Sequence, residues 1–336
     1  MLIVVVGGGL GEPLPATTNF YPANDPLLAY TDCITPSFVG GYARFRRPIS
    51  DPSQGYDYAM PGARLRFRSN AATVNVYVRY NGLIIRTDAR NTIGSVLVDG
   101  VLKQTFQSPP PINTVALASL PIVNVGSADR LYEVILPYAD GVEFGGVEVD
   151  KPYVVTAAAA RTGRLMVCYG DSITQGFYAT DTLKGWPYLL AAAEGLRCIN
   201  MGYGGWQAQP SDGTVIANLS PDLITILIGT NEYLNQIPVA TYQANLSALI
   251  TNIHNINSTV PIYISGIIYN GNSLTIPWSS YNAVAGNVIA ALGYSQLVGV
   301  GSGTLITNPG TQMQDVTHPN DAGNVQMAAG WGAVVT

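Results

Sequence analysis

The chain divides by the period of its apolar residues. From about Tyr42 to Val149 they alternate with polar ones over short runs, as in Val74-Asn75-Val76-Tyr77-Val78. A period of two puts one set of side chains against a core and the other toward water, the pattern of a half-buried strand. Strands are predicted at residues 63–68, 73–79, 94–98, 131–136 and 142–149, and Asp99-Gly100 marks a tight hairpin. No helical period is sustained in this stretch. An antiparallel β-sandwich of jelly-roll-like form is therefore expected for residues 41–160.

Beyond the alanines at 157–160 the pattern changes. Short, wholly apolar runs now alternate with amphipathic stretches of helical length, as parallel βα units require. Strands are predicted at 165–169, 198–201, 223–228 and 262–268, and helices at 186–194, 241–254, 280–292 and 321–331. Within the second helix Leu246, Leu249, Ile250 and Ile253 share one face. The second domain spans 161–336, while the Pro- and Gly-punctuated residues 1–40 are expected to wrap or extend as an N-terminal extension.

Composition narrows the partners. The 336 residues suit two cores, yet only 11% are charged, less than half the usual share. With 36 Gly, 22 Pro and 20 Tyr, the balance resembles secreted or surface-exposed β-rich proteins, so an extracellular or surface location is expected. A net charge of −5 with no basic run argues against nucleic acid. No apolar run is long enough to span a bilayer, so membrane insertion is not expected. Met1 to Val6 is apolar but lacks a basic leader and a cleavage site after it, and is not read as a signal peptide. Cys168 and Cys198 sit in apolar runs as small buried thiols; with Cys33 they form no disulfide framework. The chain carries no signature of an oligomeric state.

Four motifs follow one another through the second domain. They are Gly170-Asp171-Ser172-Ile173, Asn200-Met201-Gly202-Tyr203-Gly204-Gly205, Gly229-Thr230-Asn231-Glu232 and Asp315-Val316-Thr317-His318-Pro319. The first three follow predicted strands, and ligands in open α/β sheets bind beyond those carboxyl ends. Serine needs a base to take its proton, and acyl transfer needs donors aimed at the developing oxyanion. His318 can accept the Ser172 proton while Asp315 fixes its tautomer. The N–H groups of Ser172 and Gly205 and the amide of Asn231 then supply an oxyanion hole. Position 174 is Thr, so Ser172 lies outside the Gly-x-Ser-x-Gly elbow of α/β-hydrolases.

On these four motifs, from about Arg164 onward, the chain resembles the SGNH (GDSL-like) hydrolases. The resemblance implies a three-layer α/β/α domain, with Ser172 as nucleophile, Asp315 and His318 completing the triad, and Gly205 and Asn231 as oxyanion donors. Glu232 departs from the family, which usually has Asp there to support the loop. The β-rich half, and the stretch Gly141-Val142-Glu143-Phe144-Gly145-Gly146-Val147-Glu148-Val149-Asp150, are similar to two-domain, family-two-like carbohydrate esterases. That second resemblance implies an acetylated carbohydrate as substrate. A lipase or thioesterase on the same scaffold, and a surface or virion-type carbohydrate-binding protein, are the alternatives. The intact Ser172, Asp315 and His318 argue against a pure binder.

Other features read more plainly. The two histidines lie far apart with no clustered thiols or carboxylates, so neither a metal nor a cofactor is expected. His254 ends a predicted helix, where it caps or is exposed. The glycine run at 7–11 has Glu12 in place of a third glycine, and Pro13 and Pro15 prevent an immediate helix, which excludes a dinucleotide site. Trp186 reads as core. Trp206 and Trp278 fall on loops of the same edge as the motifs, where an indole serves either substrate stacking or loop packing.

Overall fold

In the computed structural model, the described residues are 17–47, 60–81, 93–108, 115–138 and 141–335. The chain forms two compact units, Met1–Arg161 and Thr162–Thr336. The apolar start and the glycine run at 7–11 lie outside the described residues.

The first unit holds two antiparallel sheets. In one, the strand order is Ser37–Val39, Tyr42–Arg44, Val142–Asp150, Thr73–Asn81 and Val115–Val123, with Thr18–Pro22 also paired to Val142–Asp150. In the other it is Val155–Thr156, Arg64–Ser69, Arg130–Ile135, Gly94–Val98 and Val101–Phe106, with Ala29–Thr31 paired to Arg64–Ser69. The alternation that predicts these strands is realised in burial: Val74, Val76, Val78 and Tyr80 are buried, while Asn75, Tyr77 and Arg79 between them are only partly so. Asp99 and Gly100 both have positive φ, 51° and 80°, as a two-residue hairpin matching the strand twist demands. The inner faces of the sheets meet through aromatic rings, with Tyr30 of one sheet 6.1 Å from Phe144 of the other. Part of the segment before residue 41 thus supplies strands to both sheets.

The second unit has a five-stranded parallel sheet in the order Arg197–Gly202, Leu165–Gly170, Leu223–Leu227, Ile262–Ser265, Leu297–Val300. Every residue of Leu165–Gly170 and Leu223–Leu227 is buried, because helices cover both faces. Right-handed crossovers place the helix leaving the first strand on one face and those leading to the later strands on the other. Accordingly Trp186–Ala193 packs with Asp321–Gly332, while Pro210–Asn218 packs with Val239–Ile256, which in turn meets Val284–Leu292. Trp186 is core, its ring stacked 5.3 Å from that of Trp331. Leu246, Leu249, Ile250 and Ile253 are all buried, as their helical spacing predicts. His254 lies in the last turn of the same helix, stacked on Tyr294 and hydrogen-bonded to Gln296.

Because the second strand lies on one side of the first and the third on the other, the chain reverses direction between Leu165–Gly170 and Leu223–Leu227. A crevice beyond the carboxyl ends of the strands opens at such a point. Ser172 lies just beyond the end of the first of these strands, after Asp171, and Asn231 lies beyond the second, after Ile228-Gly229-Thr230.

Candidate active site

Ser172 opens a four-residue helix, Ser172–Gln175, immediately after its strand. Asp171 caps that helix, its side chain accepting from the N–H of Ile173 at 2.9 Å. Burial pushes the Asp171 carboxyl up to about 6, against hydrogen bonds that pull it down. The first-residue N–H of a helix has no partner within the helix, so that of Ser172 remains available at the strand end.

The imidazole arrives from the far end of the chain. His318 Nε2 lies 2.9 Å from Ser172 Oγ, and both residues are buried. On the other side of the ring Nδ1 is 3.0 Å from Asp315 Oδ2. With Nδ1–H donating to the carboxylate, Nε2 is left to accept the serine hydroxyl. Asp315 is itself fixed by its own loop, since Oδ1 accepts from the backbone N–H groups of Thr317 at 2.7 Å and His318 at 2.6 Å. Burial raises this carboxyl, but the hydrogen bonds and charge of His318 outweigh it and hold it at about 2. Asp315 is thus an anion throughout the neutral range. Phe177 and Tyr178 place their rings 5.2 and 5.5 Å from that of His318, and Tyr178 does so from left-handed backbone at φ 67°. A bulky residue held in that region is uncommon, and such strain clusters at functional sites.

The third wall is the turn Tyr203-Gly204-Gly205-Trp206, closed by Trp206 N–H donating to Tyr203 at 3.1 Å. Gly205 occupies its third position at φ 81°, a conformation that favours glycine. Its flanking residues are anchored: Gly204 N–H donates to Gln175 Oε1 at 2.8 Å, and Trp206 O accepts from Asn231 Nδ2 at 2.9 Å. That bond uses one of the two amide hydrogens of Asn231. Glu232 holds the far end, Oε1 accepting from Ala208 N–H at 2.6 Å. The longer side chain at this position therefore still supports the loop. Burial pushes Glu232 up to about 7, with the charge of Asp171 adding to the rise.

The structure therefore brings Ser172, His318, Asp315, Gly205 and Asn231 to one edge of the sheet. Trp206 lies beside Gly205, half-buried, with its Nε1 donating to Asp212. Trp278 starts the helix Trp278–Asn282 and donates to Ile268 O at 2.6 Å; among the described contacts it touches none of Ser172, Asp315 or His318. Its loop is nevertheless tied to the histidine loop, because Asn270 Nδ2 donates to Thr317 Oγ1 at 3.2 Å and Gly271 N–H to Val316 O at 2.7 Å. Gln175, Phe177, Tyr178 and Asp212 carry no sequence signal beyond their closeness to the motifs. Among the described residues no group of three or more His, Cys, Asp or Glu is placed to hold a metal ion.

A doubly wound sheet with a serine, an imidazole and a carboxylate in line at its switch point defines an acyl-hydrolase architecture. Residues 168–325 match the GDSL-like Lipase/Acylhydrolase family, a match that supports an ester hydrolase. No curated protein matches the chain in sequence. Among solved structures it is similar over both units to a salicylyl-acyltransferase from a tetracycline biosynthetic pathway, with 20% identity, a TM-score of 0.83, and coverage of 95% of this chain and 96% of that one. A family two carbohydrate esterase from Cellvibrio japonicus is similar at 15% identity and a TM-score of 0.71, covering 94% and 96%. A family two carbohydrate esterase from Clostridium thermocellum, in complex with cellohexaose, is similar at 15% identity and a TM-score of 0.65, covering 82% and 92%.

Proposed function

We propose that the protein is a serine esterase that removes O-acetyl or other short acyl groups from a carbohydrate, acting outside the cell or at its surface. The observation that carries the reading is the relay from Ser172 Oγ through both nitrogens of His318 to Asp315, with spacings of 2.9 and 3.0 Å. Ser172 Oγ attacks the ester carbonyl as His318 Nε2 takes its proton, and the ionised Asp315 stabilises the resulting imidazolium. The N–H groups of Ser172 and Gly205 and the free amide hydrogen of Asn231 receive the developing oxyanion. Collapse expels the sugar hydroxyl, which takes the proton back from His318. Water then repeats the sequence on the acyl-enzyme and frees acetate.

The carbohydrate half of the reading is supported by likeness to family two carbohydrate esterases across both units. Trp206 and Trp278 are the stacking candidates: each has its indole N–H committed inward, which leaves a partly exposed ring for a sugar face. The test is acetate release from a panel of acetylated glycans, set beside hydrolysis of aryl acetate and aryl octanoate. The reading expects glycan deacetylation and a strong preference for acetate over octanoate. It also expects Trp206→Ala or Trp278→Ala to impair glycan turnover more than aryl acetate turnover. Preference for octanoate with glycans untouched would assign a lipase instead. Acyl transfer to an added alcohol in place of acetate release would assign an acyltransferase.

A further inference from the structure

Two donors near the site converge on a carboxylate that the reaction does not use. Asp212 is the third residue of the helix Pro210–Asn218 and is buried. Its Oδ2 accepts from Trp206 Nε1 at 2.7 Å and from Tyr169 OH at 2.7 Å. Tyr169 lies on the strand that delivers Ser172, and Trp206 directly follows Gly205. No lysine or arginine forms an ion pair with Asp212 among the described residues, so these two donors are its compensation for burial. An acid that served only the helix dipole would gain as much at the surface without that penalty. The turn it holds is otherwise slack at its middle. Gly205 is exposed, and a Cβ built on it would meet nothing within 4 Å. The direction of its N–H is therefore set by what grips residues 204 and 206.

We propose that Asp212 is a positioning residue for the oxyanion donor Gly205, tying the Trp206 end of its turn to the strand that carries Ser172. The inference rests on the reading of Gly205 as a donor in a Ser172 esterase. Asp212 touches no reacting atom and acts through the indole. A donor misplaced by about 1 Å costs up to about 10² in rate, so Asp212→Ala is expected to lower kcat by roughly 10–10² with KM within about twofold.

The experiment uses the full chain carrying Asp212→Ala, Asp212→Asn, Trp206→Phe, or Trp206→Phe with Asp212→Ala. Turnover of aryl acetate is expressed per Ser172 titrated with an aryl phosphonate, and inhibition by an alkyl boronic acid reports affinity for a tetrahedral adduct. Misfolding lowers the titre but not turnover per titrated serine. Asp212→Asn, which keeps the shape and one acceptor oxygen, and Trp206→Phe, which removes only the indole donor, cover the case in which Asp212→Ala does not fold. The expected result is a parallel loss of kcat and boronate affinity in each single variant, smallest in Asp212→Asn, with the double variant no worse than the poorer single one. Turnover per titrated serine within twofold of the unaltered protein, or fully additive losses in the double variant, would overturn the proposal. Failure of the phosphonate to label Ser172 in the unaltered protein would instead remove the esterase reading beneath it.

Discussion

The two units hold most of their buried acids by different partners. In the antiparallel unit three of the four buried carboxylates among the described residues pair with arginines, Glu143 with Arg44 and Arg79, Glu133 with Arg64 and Arg66, and Asp32 with Arg64 and Arg161, while Glu148 accepts from the Tyr77 hydroxyl. In the parallel unit Asp171, Asp212 and Glu232 are buried with neutral N–H and O–H donors and no arginine or lysine partner among the described residues. Burial therefore raises the pKa of all three. The one ion pair described in that unit is the one between His318 and Asp315. Arginine pairs fasten strands far apart in sequence. Neutral donors hold a loop in place without bringing a cation beside Ser172, and perturbed acids gathered at one sheet edge are a mark of a functional site.

That contrast breaks most visibly at the proposed triad. Asp315→Asn keeps the shape but loses the charge that orients the imidazole, and kcat is expected to fall on the order of 10⁴, as in the serine-protease template. Steady-state kinetics on aryl acetate checks it, and a loss below tenfold would show that His318 is oriented without Asp315. Next in size, Asn231→Ala removes the proposed oxyanion donor and one grip on Trp206 O, and is expected to lower kcat by roughly 10²–10³ with KM little changed. A raised KM with kcat intact would make Asn231 a ground-state contact.

In the first unit the effect should move from rate to stability. Glu143→Gln leaves Arg44 and Arg79 without their counter-charge. Both arginine side chains are about a quarter exposed, 28% and 24%, so the loss should be about 2 kcal/mol rather than the 3–5 of a fully buried pair. Denaturant melts should show it while kcat per titrated serine stays unchanged. A fall in kcat would contradict the division of labour between the units.

The smallest effect is a slope. Folding holds the Glu232 carboxyl at about 7 against 4.5 in the unfolded chain, so its contribution is full below about pH 4.5 and is lost as the pH rises through 7. Asp315 does the reverse: its contribution is present above 3.8 and lost as the pH falls toward 2. Glu232→Gln should flatten the decline in stability between about pH 4.5 and 7, a decline worth at most about 3 kcal/mol. Equal slopes for variant and unaltered protein would show that Glu232 is ionised in the fold.

Much of this is legible in the sequence. The Gly-Asp-Ser, Gly-Gly and Gly-Thr-Asn segments sit where short apolar runs end, parallel strands gather such ends on one edge, and the Asp-x-x-His segment stands just before the last helix. What escaped has physical reasons. Pro210–Asn218 is a polar segment interrupted by Gly213, and no helix is predicted there. It is a helix packed so closely on Val239–Ile256 that a Cβ at Gly213 would lie 2.1 Å from Leu249 O. Leu297–Val300 is an edge strand of only four residues with a glycine inside it, too short a run to be predicted as a strand. Asp212 needed the tertiary fold, because its donors come from a strand 43 residues earlier and a turn six residues earlier. The ion pairs of the first unit join residues up to 129 apart, beyond any local pattern.

The central claim is that an acyl group passes through Ser172. Rapid-quench mass spectrometry during turnover of an aryl acetate tests it most directly, with peptide mapping of the trapped chain. The account predicts one acetyl group on Ser172, formed and lost at rates that match turnover, and both labelling and hydrolysis abolished in Ser172→Ala. Acetyl on another residue, or a Ser172→Ala variant that still hydrolyses the ester at a comparable rate, would contradict it.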